Sequence, residues 1–271
     1  MNSKQGRCAL VTGASRGIGE AIARRLTTDG LRVFGASRKP LDSPGAGEPL
    51  VLDVTDDDSV RAAIDVVFDK AGRLDVVVNN AGGTLVGALE ETSVDEARWL
   101  IETNLLGVHR VTRAALPYLR ASRGHLIMMG SIAGFLAKPA EGFYSATKHA
   151  LEAYADVLRL ELAPFGVRVA LVEPGFVRTN FASKAHAVGA PLAVYEEMRR
   201  ALGQGLAHDV EKGIDATEVA DCVSRIVASE TPKLRHLVGP EATRLRRIKS
   251  LVPAGMFEWG LRRRFGLVKA P

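Results

Sequence analysis

Cysteine is nearly missing from this chain. Cys8 and Cys222 are the only two among 271 residues. They lie far apart and form no metal-type spacing, which points to a reducing cytosol and an expected cytoplasmic location. The six histidines make neither an H-x-x-x-H nor an H-x-x-E-H pattern, so no metal is expected. No run approaches about eighteen uninterrupted apolar residues, which excludes a membrane-spanning helix. A strand-like apolar run begins within the first ten residues, so a signal peptide is not expected. Internal repeats and low-complexity linkers are absent as well.

What is present suits a buried core. Apolar residues make up 46% of the chain and charged residues 25%, as in an ordinary soluble protein of one large domain or two small ones. The formal net charge of +5 is unevenly spread. From Lys233 to Lys269 ten Lys and Arg stand against Glu241 and Glu258, giving +8 there and −3 over the remainder. The basic character therefore belongs to the tail.

Short apolar runs alternate with helical patterns. Residues 7–12, 31–37, 49–54, 74–80, 124–130 and 167–174 read as strands, with 235–239 as a final one. They are continuously hydrophobic rather than alternating, as in a parallel sheet covered on both faces. Helical patterns occupy 17–29, 56–71, 93–121, 145–163 and 215–229. The alternation predicts an α/β fold: a single-domain, doubly wound parallel sheet of Rossmann type with helices on both faces. The turn-rich connection 38–48 is too short for a full crossover helix.

Straight after the first strand comes TGASRGIG, Thr12–Gly19, running into a helix. Glycines at 13, 17 and 19 permit a tight turn and let a pyrophosphate approach backbone N–H groups at a helix start. A ligand-free turn is the plainer alternative, but the position between strand and helix favours the dinucleotide reading. At the end of the second strand Ser37 replaces the acid expected for a cofactor with a free ribose 2′-hydroxyl, and Arg38 follows. With Arg16 in the loop, these residues favour a 2′-phosphate, hence NADP(H), over mere solvated charge. NNAG, Asn79–Gly82, ends the fourth strand with small residues suited to a nicotinamide ribose. Ser131 follows the fifth strand, at the edge where ligands bind such sheets. A hydrolase elbow would need glycine two residues before the serine, and Met129 stands there instead.

Tyr144 and Lys148 are four residues apart in FYSATKHALEAY, on one face of a helix. They could be a solvated pair, or a phenol made labile by a nearby cation. With TGASRGIG, NNAG, Asn104 in NLLG, Ser131 and Pro174–Gly175, the chain resembles the short-chain dehydrogenase/reductase family over about residues 6–180. The resemblance implies a carbonyl–alcohol oxidoreductase using NADP(H). Tyr144 would then be the acid/base, lowered by Lys148 and by a bound nicotinium ring from its ordinary value of about 10. Ser131 would hold the substrate oxygen, Lys148 the ribose, and Asn104 a water on the proton path. The implied cofactor contacts are Gly13, Ser15, Arg16, Gly17, Ile18, Gly19, Ser37, Arg38, Asp53, Val54, Asn80, Ala81, Gly82, Tyr144, Lys148, Pro174, Gly175, Val177 and Thr179. Asp53 could instead cap the helix at 56–71, and Thr179 could be an ordinary loop hydroxyl.

The segment 176–213 is longer than an ordinary βα loop and carries Phe176, Phe181, Leu192, Tyr195, Met198 and Leu202, which suggests a substrate lid. A lipophilic carbonyl or alcohol, of steroid, retinoid or lipid type, is expected there. Residues 1–240 would form the dinucleotide-binding and catalytic domain, and 241–271 a basic amphipathic extension. Leu245, Ile248, Leu251 and Val252, then Phe257, Leu261, Phe265 and Val268, recur at helical spacing. Those stripes suit packing over the cleft or, at most, peripheral contact with an anionic membrane. Apolar residues on two sides of the helix at 145–163 predict a homodimer or homotetramer. A silent NADPH-binding sensor or scaffold is the alternative function. A nucleic-acid partner is not expected, since no binding motif accompanies the basic tail.

Overall fold

The computed structural model describes residues 6–39, 45–265 and 267. In chain order the strands are β1 (Cys8–Thr12), β2 (Arg32–Ser37), β3 (Glu48–Val51), β4 (Val76–Asn79), β5 (Leu85–Val86), β6 (His125–Met129), β7 (Arg168–Pro174), β8 (His186–Ala187) and β9 (Arg235–Val238). The helices are α1 (Gly17–Thr28), α2 (Asp57–Ala71), α3 (Val94–Ile101), α4 (Gly107–Ser122), α5 (Gly142–Leu162), α6 (Glu196–Glu211), α7 (Ala216–Ala228), α8 (Pro240–Leu251) and α9 (Ala254–Arg264). Seven strands form one parallel sheet in the order β3-β2-β1-β4-β6-β7-β9. β5 and β8 pair separately.

Burial on both sides explains why the central strands are apolar throughout. Every residue of β1 and β6 is buried. On one face Leu10, Val77, Leu126 and Leu171 pack against Ile64 and Val67 of α2, Val111 and Leu119 of α4, and Leu151 and Leu158 of α5. On the other, Val11, Val78, Ile127 and Val172 pack against Ile22 and Leu26 of α1 and Val223 and Ile226 of α7. The chain steps outward from β1 to β2 and β3, then returns to place β4 on the other side of β1. That reversal opens a crevice beyond the carboxyl ends of β1 and β4, where ligands of doubly wound sheets bind.

Several expectations are revised. The helix expected over 93–121 is interrupted by a π-helical turn, Glu102–Leu106, between α3 and α4. Such single-turn insertions shift the phase of the helix, often at functional positions. Here the turn carries Asn104. The cap of α2 is Asp56, whose carboxylate accepts from Ser59 N at 2.7 Å. Asp53 instead accepts from Thr55 N and Oγ1 at 2.9 and 2.7 Å. The 176–213 segment is not simply a loop, for it contains β8 and α6. Residues 40–44 of the short connection lie outside the described residues, as does Val268 of the tail stripe.

The C-terminal segment folds back onto the sheet's end. Leu245, Phe257 and Leu261 pack against Ile132, Phe135, Leu136 and Phe176. Leu251 is exposed, so the predicted apolar stripe of α8 splits between an inner and an outer face. Nor are its cations all solvated: Arg246 lies over the Phe135 ring, and Lys249 Nζ donates to Phe135 O.

Candidate active site

The glycine loop closes on β4 without side chains in the way. Gly13 has φ +67°, and a Cβ there would meet Ala81 Cα at 2.9 Å. A Cβ on Gly19 would lie 2.3 Å from Gly13 O, so a side chain at either position forces the turn open. Thr12 locks the junction, its Oγ1 accepting from Asn80 N and Ala81 N at 3.0 Å each. Asn80 Nδ2 donates to Thr12 O at 2.9 Å and Gly13 O at 3.2 Å. The start of α1 has no side-chain cap, which leaves its first N–H groups without an internal partner. Ser15 and Arg16 are exposed there, while Ile18 is half-buried beside them.

At the end of β2, Ser37 is buried and its hydroxyl donates to Lys39 O, while Arg38 is exposed. Burial pushes the Asp53 carboxyl upward, but its bonds to Thr55 and the nearby Arg38 charge win and hold it below the usual range. Val54 is buried, and a Cβ on Gly107 would approach it to 2.8 Å. Thr179 lies across the loop from Gly17, whose added Cβ would sit 3.4 Å from the threonine methyl.

Three elements converge on the cleft. β6 ends in Met129, and Ser131 follows as the cap of a short 3-10 turn, its Oγ accepting from Ala133 N at 3.1 Å. The first turns of α5 carry Tyr144 and Lys148. Lys148 is buried, and its Nζ donates to Met129 O at 2.7 Å. An ammonium has three donors, so donors remain on Lys148 for a polyol such as ribose. Burial depresses Lys148 to about 8. Asn104 Oδ1 accepts from Gly83 N at 2.8 Å. Its Nδ2 donates to Gly83 O at 2.9 Å and lies 3.2 Å from Thr147 Oγ1. Thr147 in turn donates to Tyr144 O at 2.8 Å. The π-helical turn thus ties the β4 loop to the first turn of α5.

Lys148 by itself does not lower Tyr144. In the protein alone, Tyr144 is pushed above the ordinary tyrosine value by burial, and Glu141 pushes the same way. Only the Ser131 hydroxyl opposes them. The Lys148 ammonium stands 5.7 Å from the Tyr144 ring centroid, in position for a cation–π contact. Desolvation of the phenolate is the largest influence on Tyr144, and the buried Lys148 ammonium, which donates to Met129 O, does not offset it.

Ser131 and Tyr144 face a cleft with Ile18, Gly175, Thr179 and Phe181 on its walls, and Val177 lies in the same lining. Pro174 is the buried last residue of β7. Gly82 stays exposed beside Asn104. The structure therefore gathers the residues from 12–19, 79–83, 104, 131, 144–148 and 174–179 around one crevice, with Ser37, Arg38 and Asp53 at its β2 edge. Thr12, Thr147, Lys138 and Glu141 join them without motif signals of the same strength. Thr12 and Thr147 do fall inside stretches that carry motifs, whereas Lys138 and Glu141 show only an opposite-charge spacing of three. Among the described residues no group of three His, Cys, Asp or Glu could hold a metal.

Comparison with known proteins agrees with this geometry. The family model "short chain dehydrogenase" matches residues 7–188. A 3-ketodihydrosphingosine reductase of Bacteroides thetaiotaomicron is 37% identical over 263 residues, covering 95% of this chain and 97% of that protein. An NADPH-dependent 3-dehydrocapnine reductase of Ornithobacterium rhinotracheale is 34% identical over 268 residues, covering 93% and 95%. The crystal structure of a short-chain dehydrogenase from Streptomyces avermitilis superposes with a TM-score of 0.82 at 35% identity, over 97% of this chain and 99% of that one. The glycine loop, the parallel sheet and these matches lead to one conclusion: the chain belongs to the short-chain dehydrogenase/reductase family, an oxidoreductase of carbonyls and alcohols that uses a nicotinamide dinucleotide.

Proposed function

We propose that this protein reduces the ketone of a long-chain, lipid-like substrate to a secondary alcohol, with NADP(H) as cofactor. The observation that carries the substrate class is an apolar cavity beside the cleft. Leu136, Phe176, Leu202, Leu245, Leu261 and Phe265 contribute to its walls, and it opens partly to solvent. Two relatives are named a 3-ketodihydrosphingosine reductase and an NADPH-dependent 3-dehydrocapnine reductase, which supports the same reading.

The residues divide the work as follows. The nicotinamide, when bound, supplies the hydride. Tyr144, whose raised pKa keeps its proton at neutral pH, donates that proton to the carbonyl oxygen as negative charge develops. Ser131 donates a hydrogen bond to the same oxygen and lowers the cost of that charge. Lys148 uses its remaining donors on the ribose and brings a cation toward the phenolate left behind. Asn104 holds Gly83 and Thr147, and through Thr147 the turn that carries Tyr144. At the β2 edge, Arg16 and Arg38 pair with a 2′-phosphate, and Ser37 leaves room for it where an acid would repel it. The protein acts as a homodimer or homotetramer in the cytoplasm.

Replacing Tyr144 with Phe tests the chemistry, since the ring stays and the proton is lost. Turnover of an aliphatic ketone should fall by at least about a hundredfold, with NADPH affinity little changed. Activity within tenfold of the parent would remove Tyr144 from the proposal. A parent that binds NADPH but turns over no ketone, aldehyde or alcohol would instead support a silent sensor.

A further inference from the structure

Helix α6 walls two spaces, yet it is not rooted in the core. Leu202, Gly203 and Leu206 line the apolar cavity, and Leu206 and Val210 line the cleft beside Tyr144. These residues recur at helical spacing, and Arg199 falls on the same face one turn earlier. No residue of α6 reaches full burial, so the apolar contacts that seat α1 or α7 on the sheet are scarce here. Polar ties therefore decide where this helix sits.

The base of the segment that carries α6 is pinned to the sheet's end. Ile214 N donates to Phe176 O and Arg178 N donates to Ile214 O, each at 2.9 Å. From that base the chain runs out to β8, where His186 N donates to Thr84 O at 3.0 Å and Val188 N to Val86 O at 3.1 Å. It returns through α6, near whose end Asp209 pairs with Arg264 at 2.7 Å.

The start of α6 is held by one buried carboxylate. Glu91 closes a 3-10 turn, Leu89–Glu91, and its side chain is fully shielded from water. Its Oε2 accepts from Ala88 N at 2.7 Å, within its own turn. Its Oε1 accepts from Leu192 N at 2.7 Å and from Arg199 Nη1. Arg199 Nη1 also donates to Leu192 O at 3.2 Å, which closes a ring of contacts. Burial pushes the Glu91 carboxyl upward, but these bonds win and hold it below the usual range, so it is charged at neutral pH. Two nearby acids reach the same segment: Glu96 accepts from Gly189 N at 2.7 Å, and Glu90 from the Tyr195 hydroxyl at 2.6 Å. Both of those contacts are open to water, where they add little. Breaking the shielded one costs more, because it leaves desolvated donors without a partner.

We propose that Glu91 is a positioning residue for the substrate, a latch that keeps residues 186–211 seated so that α6 walls the apolar cavity. This rests on the carbonyl-reductase reading above and assigns to it a residue outside the reacting centre. Ser131 follows β6, and Tyr144 and Lys148 stand on α5, so loosening the latch removes the wall and leaves the reacting groups in place. A substrate long enough to reach α6 feels the loss, and a short one does not.

The test uses the whole protein with Glu91→Gln, with Arg199→Gln and with both. Reduction of dodecan-3-one and of pentan-3-one by NADPH is followed in each. Glu91→Gln should raise the KM of the long ketone relative to the short one about tenfold, with kcat for the long ketone changed by less than about threefold. Arg199→Gln should do the same, and the double variant should be no worse than either single one, since both break one contact. Hydrogen exchange adds a reading that needs no substrate: in Glu91→Gln the amides of 192–206 should exchange about tenfold faster, while those of α1 and α4 keep the parent's rates. A KM ratio that stays at the parent's value, additive effects of the two substitutions, or exchange that rises equally in every helix overturns the inference and leaves the reductase reading standing. A parent that reduces neither ketone removes that reading and substrate positioning with it. Should Glu91→Gln fail to fold, the KM ratio in Arg199→Gln decides by itself.

Discussion

Single residues carry the sharpest consequences of this fold. Ser37 and Arg38 end β2 beside the glycine loop, where one carboxylate or one guanidinium changes the fit of a ribose phosphate. The double substitution Ser37→Asp, Arg38→Gln adds repulsion and removes a charge-assisted pair, so preference should move toward NAD(H) by about ten- to hundredfold. Direct titration with both reduced cofactors reads this, and a parent that binds NADH as tightly as NADPH would defeat the assignment. Glu173 offers a different kind of test. It is fully buried at the end of β7, faces Glu152 of α5, and has Arg246 of α8 at 3.8 Å and Arg235 of β9 nearby. Burial, then Glu152, pushes its carboxyl up to about 8. A raised folded value means that the stabilising contribution is complete below the unfolded value of 4.5 and is lost as pH rises through about 8. Glu173→Gln keeps the neutral shape at every pH. Its Tm should exceed the parent's at pH 9, and the advantage should shrink by pH 5. A gap of the same size at both pH values would show that Glu173 does not titrate in this window.

At the scale of elements, the C-terminal helices decide the shape of the candidate substrate site. α9 gives the apolar cavity Leu261 and Arg264, Phe265 follows directly after it, and α8 gives Leu245. Removing residues 253–271 keeps Arg246 near Glu173 but opens the cavity. KM for a long aliphatic ketone should rise about tenfold or more, with cofactor affinity nearly unchanged; an unaltered KM would show that α9 is not a wall of the substrate site. The outer face of the same helices exposes Leu251, Met256 and Trp259, with Arg262 and Arg263 close in sequence. That face suits reversible contact with an anionic bilayer, where each well-placed cation contributes about 1 kcal/mol. The full chain should then sediment with anionic vesicles at low salt and the truncated chain should not. Much of this was legible beforehand, since Leu261 and Phe265 recur at helical spacing. What spacing could not supply was which stripe faces inward: Leu245 packs against the cluster of Ile132, Phe135 and Leu136 while Leu251, six residues on, meets water.

At the scale of the whole molecule, α5 leaves an apolar face uncovered. On α5, Leu151, Ala155 and Leu158 enter the core, whereas Val157 and Leu160 are 53% and 75% exposed. A second copy of the chain would cover them, in keeping with the proposed oligomer. Changing both residues to Glu should lower the mass seen by sedimentation equilibrium to that of the monomer. A parent that is already monomeric at micromolar concentration would refute the interface. No helix among the described residues is long and apolar enough to cross a membrane.

The order of apolar runs was enough to determine the parallel sheet, because strands buried on both faces must be hydrophobic at every position. The glycines, Ser131 and the Tyr144–Lys148 spacing were legible for a related reason: a tight turn or a shared helix face requires particular residues at fixed separations. Tertiary structure alone decided the rest. It set the π-helical turn at Asn104, gave the cap of α2 to Asp56, and raised rather than lowered the phenol of Tyr144. It also brought Lys138 and Glu141 between two cavities, and Arg246 beside Glu173. Each of these depends on which groups meet across the fold and how much water is excluded between them. Sequence spacing fixes neighbours along one element, whereas desolvation and pairing between elements are settled only when they pack.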